Sequence, residues 1–299
     1  MNKYKLYDMH IHSHNSHDSE SLIEDIANEC IKKNISAFAI TDHCDIEYFF
    51  EHDMRTVIKK SVEECGRFAD EFEGRVEILK GIELGEGIWD KEHTMEILEE
   101  YDYDVIIGSV HAVRYKDYTE PYSCIDFSEM ELTEVEEYLD KYFDEVYEML
   151  QEISCDIMAH LTCPLRYING KYHLKIDVTK YKEKILKILR YIIDNEIAME
   201  INTSGVCNEA VGFMPDEWIL MEFKKMGGKF ITFGSDAHVP ENVGKDFDKA
   251  IELLKKYSFD KYYYYKKREK FFVKFNFNRC KEKVILKIKR NYKKLLIFL

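Results

Sequence analysis

Imidazole and carboxylate groups are concentrated near the N-terminus of this chain of 299 residues, where the segment DMHIHSHNSHDS at residues 8–19 contains four histidines and two aspartates. His10 and His12 alternate along an apolar segment, so both imidazoles would point to the same side of a strand. Asp236 and His238 have the same spacing in GSDAH. An H-x-H pair alone is weak evidence for a metal site. Imidazole nitrogens and carboxylate oxygens are, however, ligands of Zn²⁺, Mn²⁺ and Fe²⁺ in proteins.

More residues of the same types follow other apolar segments. They are Asp42 and His43 after SAFAIT, Glu83 in GIELGE, His111 after VIIGSV and His160 after CDIMA. A lone histidine after such a segment is usually structural, and Thr-Asp is ordinary turn chemistry after a strand. Coincidence at five or six strand ends together is improbable, and the carboxyl ends of parallel strands meet on one face of an α/β fold. We therefore predict one metal centre that collects these side chains.

The elements that would position these groups alternate along the chain. Short β-branched or apolar segments, such as SAFAI and KFITFG, are separated by amphipathic segments, such as TEVEEYLDKYFDEVYEMLQEI. A strand followed by a helix, repeated about seven times, predicts a parallel α/β architecture, although periodicity leaves an open sheet and a closed barrel as alternatives. Ser21, with Glu24 three residues later, is predicted to cap the first helix. The segment before Phe275 resembles a final edge strand with an aromatic face.

Composition limits the class of protein. The hydrophobic content of 45%, the length and the lack of a Ser/Gly/Pro linker favour one large domain. No stretch of about 18 uncharged apolar residues is present, so no membrane span is predicted. The N-terminus lacks the features of a secretory signal, so we expect a cytoplasmic protein. The eight cysteines are scattered singly and are expected to be reduced.

Charge is distributed unevenly along the chain. The net charge is −14, but residues 261–299 carry 14 Lys/Arg and two Asp/Glu, which leaves −26 for residues 1–260. We predict an α/β domain at residues 1–275 and a basic amphipathic extension at residues 276–299. The extension would be solvated or docked on the acidic domain, with a membrane surface or nucleic acid as alternative contacts. The acidic domain itself argues against a long polyanionic substrate.

The number of candidate ligands indicates the type of chemistry. Eight or nine side chains exceed the needs of one ion, and with bridging carboxylates they suit two or three metals a few Å apart. Such centres hold the attacking and leaving oxygens during displacement at phosphorus, and phosphate monoesters hydrolyse very slowly without catalysis. A phosphoesterase is therefore favoured. A hydrolase of a cyclic amide or ester is an alternative, and a non-catalytic scaffold is disfavoured because the ligand set is intact.

In these motifs the chain resembles the PHP (polymerase and histidinol phosphatase) superfamily, and within it the histidinol-phosphatase branch. The resemblance spans roughly residues 5–270 and rests, in order, on DMHIH, SHDS, ITDH, GIELG, GSVHAV, MAHLTCPLRY, MEINTSG and GSDAHVPENVG. It implies a distorted (β/α)7 TIM-like barrel with a trinuclear centre of Zn, Mn or Fe at the C-terminal ends of the strands. It also implies hydrolysis of L-histidinol phosphate to L-histidinol and phosphate, in histidine biosynthesis, by a metal-bridging hydroxide.

The resemblance further implies which side chains hold the three ions. The implied ligands of the first site are His10, His12, Glu83 and Asp236. Those of the second are Glu83, His111 and His160, with Glu83 as the bridge, and those of the third are Asp18, His43 and His238. All but Asp18 and His43 are also implied in catalysis. Neighbouring His17 is an alternative to Asp18, and Asp8 and Asp42 would orient imidazoles.

Candidate substrate contacts are fewer. The resemblance places Arg166 in HLTCPLR at a position that contacts the substrate phosphate, where its planar fork suits bidentate binding. Arg114 and His14 are further candidates, and residues 202–204 would line the pocket or form only a polar turn. The alternative substrates are other phosphate esters, namely nucleotides, oligonucleotides or phosphotyrosine. Metal identity and oligomeric state are left open.

Overall fold

The computed structural model describes residues 5–275 and shows a barrel of parallel strands. The strands are β1 (Leu6–Ile11), β2 (Ile35–Ile40), β3 (His43–Asp45), β4 (Glu77–Gly85), β5 (Val105–Ser109), β6 (Ile157–Met158), β7 (Ala198–Asn202) and β8 (Ile231–Gly234). They pair in the order β1-β2-β4-β5-β6-β7-β8, and the short β3 also pairs with β4. Between β8 and β1, the Asp236 N–H donates to the His10 carbonyl at 2.8 Å and the His12 N–H to the Ala237 carbonyl at 3.0 Å. These bonds nearly close the sheet, which confirms the (β/α)7 barrel.

Helices connect most of the strands and bury one face each. They are α1 (Ile23–Lys32), α2 (Met54–Glu71), α3 (Lys91–Glu100), α4 (Leu132–Glu152), α5 (Pro164–Ile168), α6 (Lys182–Asp194), α7 (Glu217–Lys225) and α8 (Phe247–Lys256). In α6 the spacing of the apolar positions produces a single buried stripe of Ile185, Ile188, Leu189 and Ile192. Each such aliphatic side chain contributes roughly 1.5–3 kcal/mol by leaving water. None of the helices within residues 5–275 has the length and apolarity needed to cross a membrane.

The start of α1 corrects one prediction. The helix begins at Ile23 after Leu22, which makes no side-chain capping bond, so Ser21 is not the cap. Instead the Ser21 hydroxyl donates to the carbonyl of His238 at 2.9 Å, and the Ser19 hydroxyl donates to the same carbonyl at 3.0 Å. Both hydroxyls are therefore used to hold the loop that follows β8, which carries two of the predicted ligands.

The C-terminal part of the described chain forms a hairpin rather than a single edge strand. Strands β9 (Lys261–Lys266) and β10 (Glu269–Lys274) pair with each other in a separate antiparallel sheet. The aromatic face of β9 packs on the N-terminal end of the barrel, where the Tyr262 hydroxyl donates to the Lys5 carbonyl at 2.7 Å and the Tyr265 hydroxyl to the Asp156 carbonyl at 2.9 Å. The hairpin thus covers the end opposite the predicted site. The predicted extension at residues 276–299 lies outside the described residues.

Candidate metal centre

Glu83 lies at the centre of a cluster at the C-terminal ends of the strands. It is fully buried on β4, and its two carboxylate oxygens face different imidazoles. Oε1 lies 2.8 Å from Nε2 of His160 and 3.2 Å from Nε2 of His111. Oε2 lies 3.2 Å from Nε2 of His10 and 3.1 Å from Nδ1 of His43. One carboxylate therefore joins imidazoles that come from four different parts of the barrel rim.

Asp236 provides a second carboxylate beside the histidines of β1. Its Oδ1 lies 3.3 Å from Nε2 of His12 and 3.9 Å from Nε2 of His10. The two Nε2 atoms are themselves 3.1 Å apart. Asp236 has a left-handed φ of 52°, a conformation that Asp adopts more readily than most residues. The local backbone thus turns this carboxylate back towards the two imidazoles.

A third group lies nearer the solvent. Oδ2 of Asp18 is 2.9 Å from Nε2 of His238 and 3.7 Å from Nε2 of His43. His17 also lines the cavity and packs near His43, with ring centroids 5.4 Å apart. The structure therefore brings the carboxylate of Asp18 against both imidazoles.

The cluster contains charge that is only partly paired. Glu83 Oε2, His43 Nδ1 and His160 Nδ1 are buried and make no hydrogen bond to any residue between 5 and 275. Burial opposes ionisation of Glu83, yet the surrounding imidazoles, His10 first, hold its pKa well below the ordinary value. Burial also opposes protonation of His43, but Asp45 and Glu83 raise its pKa to about 9. Metal binding at His43 would therefore displace a proton from its ring.

Two buried carboxylates that were not predicted hold the imidazoles from behind. Oε1 of Glu200, on β7, lies 2.7 Å from Nδ1 of His10, and its Oε2 accepts a hydrogen bond from the His160 N–H at 2.8 Å. Oδ1 of Asp45 lies 3.0 Å from Nδ1 of His111. Contacts of this kind fix the orientation of the ring and leave Nε2 facing the centre. The available signal for Glu200 was a carboxylate inside the otherwise apolar strand segment AMEIN.

Neither Asp8 nor Asp42 makes a direct hydrogen bond to an imidazole ring, so the prediction that they orient imidazoles is wrong for Asp8 and holds only indirectly for Asp42. Oδ1 of Asp8 accepts from the Ser235 N–H at 3.0 Å and so fixes the junction between β1 and β8. Oδ1 of Asp42 accepts from the Ser16 hydroxyl at 3.0 Å. The Ser16 oxygen lies 3.1 Å from Nδ1 of His12. Asp42 therefore acts on that ring through a serine, a relay that spacing along the chain does not show.

A cavity of about 470 Å³ opens over the cluster, and Arg166 on α5 forms part of its wall. Nη1 of Arg166 lies 3.2 Å from the Ser204 hydroxyl and 3.8 Å from Oδ2 of Asp236. Ser204 donates to Oδ1 of Asn202 from its backbone N–H at 3.0 Å and from its hydroxyl at 2.7 Å. The N–H of Thr203 donates to the Gly234 carbonyl. Residues 202–204 thus form a polar turn, and Ser204 links it to the guanidinium.

Arg114 and His14 lie away from this cavity. The Arg114 guanidinium packs over the Trp89 ring at 4.4 Å, and its backbone N–H donates to Glu145 at 3.1 Å. Nε2 of His14 lies 3.3 Å from Oε2 of Glu64. Each side chain is held by a partner outside the site, so the structure does not bring these two predicted substrate contacts to the cluster.

The residues that converge here fit divalent metal ions. Ligand atoms of several triplets lie within 4.8 Å of one another: His10, His12 and Asp236; His10, Glu83 and His160; His43, Glu83 and His111; His12, His43 and His238. The donor set is imidazole nitrogen and carboxylate oxygen without thiolate, which suits borderline ions such as zinc. Glu83 Oε2 and His43 Nδ1, which make no hydrogen bond to any residue between 5 and 275, are atoms that an ion would complete.

Known proteins are similar to this chain in sequence and fold. Residues 8–204 match the PHP domain family. A histidinol-phosphatase of Lactococcus lactis subsp. lactis is 32% identical over 259 residues, which cover 85% of this chain and 92% of the relative. A probable histidinol-phosphatase of Clostridium acetobutylicum is 29% identical and covers 83% of this chain and 92% of the relative. The crystal structure of histidinol phosphate phosphatase from Lactococcus lactis subsp. lactis, complexed with zinc, L-histidinol and phosphate, matches with a TM-score of 0.75 and 26% identity, covering 89% of this chain and 99% of that chain. The chain therefore belongs to the PHP domain family.

Proposed function

We propose that this protein is a metal-dependent phosphatase that hydrolyses L-histidinol phosphate to L-histidinol and phosphate. The observation that carries the proposal is the buried Glu83 carboxylate, which faces imidazoles on both of its oxygens beneath an open cavity. The relative from Lactococcus lactis, whose crystal structure holds zinc, L-histidinol and phosphate, supports the same substrate. A cavity of about 470 Å³ is in the range that encloses a small molecule.

We assign the metal ligands to three overlapping groups. The first group is His10, His12, Glu83 and Asp236. The second is Glu83, His111 and His160, and the third is Asp18, His43 and His238. Asp18 is preferred to His17 because its carboxylate contacts both imidazoles of the third group. Three ions of Zn, Mn or Fe, when bound, would lower the pKa of coordinated water and neutralise charge that develops at phosphorus.

The chain's own residues would position the substrate. Arg166 lies at the cavity wall with its guanidinium next to Asp236 and Ser204, so it can pair with a phosphoryl group held over the cluster. Its fixed geometry allows two parallel hydrogen bonds to one phosphoryl group. Glu200 and Asp45 hold the imidazoles of His10 and His111 in place during the reaction.

Another phosphate ester is the alternative substrate. The acidic part of the chain disfavours long nucleic acids, since their affinity depends on neutralising many phosphates. The basic extension lies outside the described residues, and its contacts, the oligomeric state and the cytoplasmic location stay predictions.

The proposal is tested by kcat/KM on L-histidinol phosphate, p-nitrophenyl phosphate and a nucleoside monophosphate, with protein reconstituted in Zn²⁺, Mn²⁺ or Fe²⁺. We expect a preference for L-histidinol phosphate of about a thousandfold or more, equivalent to roughly 4 kcal/mol of transition-state discrimination. Comparable low rates on all three esters would leave a PHP phosphoesterase with a different substrate. Turnover of an amide panel and of none of the esters would contradict the reaction class.

A further inference from the structure

The side chain of Asn202, the last residue of β7, lies between two carboxylates. Its Nδ2 is 3.2 Å from Oε2 of Glu200 and 3.4 Å from Oδ2 of Asp236. Glu200 is the carboxylate behind His10, and Asp236 is one of the proposed ligands. An amide nitrogen carries two hydrogens, so this group can donate to both carboxylates. Asn202 thus contacts one side chain that faces the proposed centre and one that supports it from behind.

The other side of the same amide holds a serine. Oδ1 of Asn202 accepts from the Ser204 backbone N–H at 3.0 Å and from the Ser204 hydroxyl at 2.7 Å. These partners fix the orientation of the amide, because a backbone N–H can only donate and an ionised carboxylate can only accept. Main-chain hydrogen bonds to Met214, at 2.8 Å and 3.1 Å, hold the residue itself. The fully buried amide therefore uses both of its donors and its acceptor in one fixed orientation.

The Ser204 hydroxyl connects this amide to the cavity. Nη1 of Arg166 donates to it at 3.2 Å, and Oδ2 of Asp236 lies 3.2 Å from the same oxygen. The two oxygens of Asp236 thus have different surroundings: Oδ2 faces Asn202 and Ser204, whereas Oδ1 lies 3.3 Å from Nε2 of His12. Arg166 and Asp236 line the cavity, but Asn202 and Ser204 do not. The asparagine and the serine can therefore act on a ligand only through these two neighbours.

We propose that Asn202 is a positioning residue, which holds the Asp236 carboxylate and, through the Ser204 hydroxyl, the Arg166 guanidinium in one fixed arrangement. Without the amide, Oδ2 of Asp236 would lose a donor, and the carboxylate could rotate about its broad χ2 torsion. A hydrogen bond to one oxygen of a ligating carboxylate keeps the other oxygen directed at the ion. The same amide would also fix the place of a phosphoryl group paired with Arg166. The inference rests on the proposed function, and it gives Asn202 a role other than lining the pocket.

The first test is Asn202→Leu in the full-length protein, a change that keeps the branched shape of the side chain and adds no charge. We expect zinc affinity, measured by competition with a chelator, to fall by about tenfold. In excess zinc, kcat/KM for p-nitrophenyl phosphate should fall by about 10- to 100-fold, the usual range for groups that orient ligands. Thr203→Val is the matched control, since it deletes a neighbouring buried hydroxyl that donates to the Gly234 carbonyl at 3.4 Å. Both values should stay within about twofold of wild type in this control.

The second test is Ser204→Ala, which keeps the amide and removes only its connection to Arg166. Loss of this hydrogen bond should raise the KM for p-nitrophenyl phosphate and the inhibition constant of inorganic phosphate by about 3- to 10-fold. Zinc affinity should change less than in Asn202→Leu. In an Arg166→Ala background, Ser204→Ala should add less than about twofold, because residues that act through one another are not additive.

Two results would overturn the inference. One is an Asn202→Leu variant that melts below wild type but keeps wild-type zinc affinity and kcat/KM, since the amide would then be only structural. The other is a Ser204→Ala effect of full size in the Arg166→Ala background. If Asn202→Leu does not fold, the Ser204→Ala comparison decides. Failure of the proposed function gives a different pattern, in which wild type hydrolyses no phosphate ester while Asn202→Leu still weakens zinc binding.

Discussion

Both ends of the barrel contain buried carboxylates, but these are paired with cations and backbone N–H groups at one end and lack some of their hydrogen bonds at the other. At the N-terminal end, the Asp156 carboxylate is paired with Nε of Arg268 at 2.7 Å and accepts from the Ile106 N–H at 2.8 Å. Nearby, Asp104 accepts from the Lys80 N–H at 2.9 Å. At the C-terminal end, buried carboxylates face imidazoles and further carboxylates, and several of their oxygens make no hydrogen bond to any residue within 5–275.

The difference separates a structural role from a functional one. A buried charge that is paired and hydrogen-bonded satisfies the requirements of folding alone. A buried cluster of converging ligand atoms lowers the stability of the metal-free protein, and a bound ion restores that stability. The hairpin therefore completes one end of the barrel with protein groups, whereas we propose that metal ions complete the other end.

The largest effect is expected from removing a ligand at the open end. Asp236→Asn and His160→Ala should each lower kcat/KM by at least about a thousandfold in metal-replete buffer, or roughly 4 kcal/mol. The reason is that each side chain belongs to a group whose ligand atoms lie within 4.8 Å of one another. Steady-state kinetics give the result, with circular dichroism as the control for folding. Full activity in either variant would refute the assignment of the centre.

Metal removal should destabilise the protein by a few kcal/mol. An ion present at 100 times its Kd adds about 2.7 kcal/mol, so chelation should lower Tm by several degrees, and zinc should restore it. Zinc affinity should fall as pH is lowered from 8 to 6, because His43, with its pKa raised to about 9, must lose its proton to bind metal. Differential scanning calorimetry and zinc titration measure both effects. A chelator-resistant Tm with pH-independent zinc affinity would argue against the centre.

A smaller loss is expected from Glu200→Gln, which keeps the volume of the side chain but weakens its hold on His10. Oε1 of Glu200 is 2.7 Å from Nδ1 of that ring. Metal affinity or activity should fall by about 10- to 100-fold, the usual cost of losing a carboxylate behind a ligating histidine. Activity measured against free zinc concentration distinguishes the two, since excess zinc should rescue a loss of affinity. Wild-type zinc dependence would show that the contact is dispensable.

The smallest effect on activity is expected at the closed end. Arg268→Ala removes the partner of the buried Asp156, which still accepts from the Ile106 N–H. The variant should lose about 1–2 kcal/mol of unfolding free energy and keep its kcat. Urea denaturation and steady-state kinetics test the two parts separately. A large loss of kcat with unchanged stability would mean that the two ends are not independent.

The barrel and the convergence of the imidazole and carboxylate side chains could be predicted from the sequence because both follow from local pattern. Apolar segments alternate with amphipathic ones, and most of the predicted ligands lie near the C-terminal end of a strand. Glu200 was not predicted because the function of a carboxylate inside a strand becomes clear only when its contact, here the His10 ring, is known. Ser21 was wrongly predicted to cap α1 because its hydroxyl instead donates to the His238 carbonyl, which is 217 residues away in the sequence. The hairpin was predicted as one strand because its turn contains no glycine: Lys267 and Arg268 themselves adopt the positive φ that usually signals Gly or Asn in a turn.

We propose that metal ions shared through Glu83 complete the open end of the barrel. Anomalous diffraction at the zinc edge, from crystals of zinc-loaded protein, tests it most directly. We expect peaks on both sides of the Glu83 carboxylate, about 2.0–2.2 Å from its oxygens and from the imidazole nitrogens. Peaks elsewhere on the surface, or none at the cluster in protein that is active as a phosphatase, would contradict it.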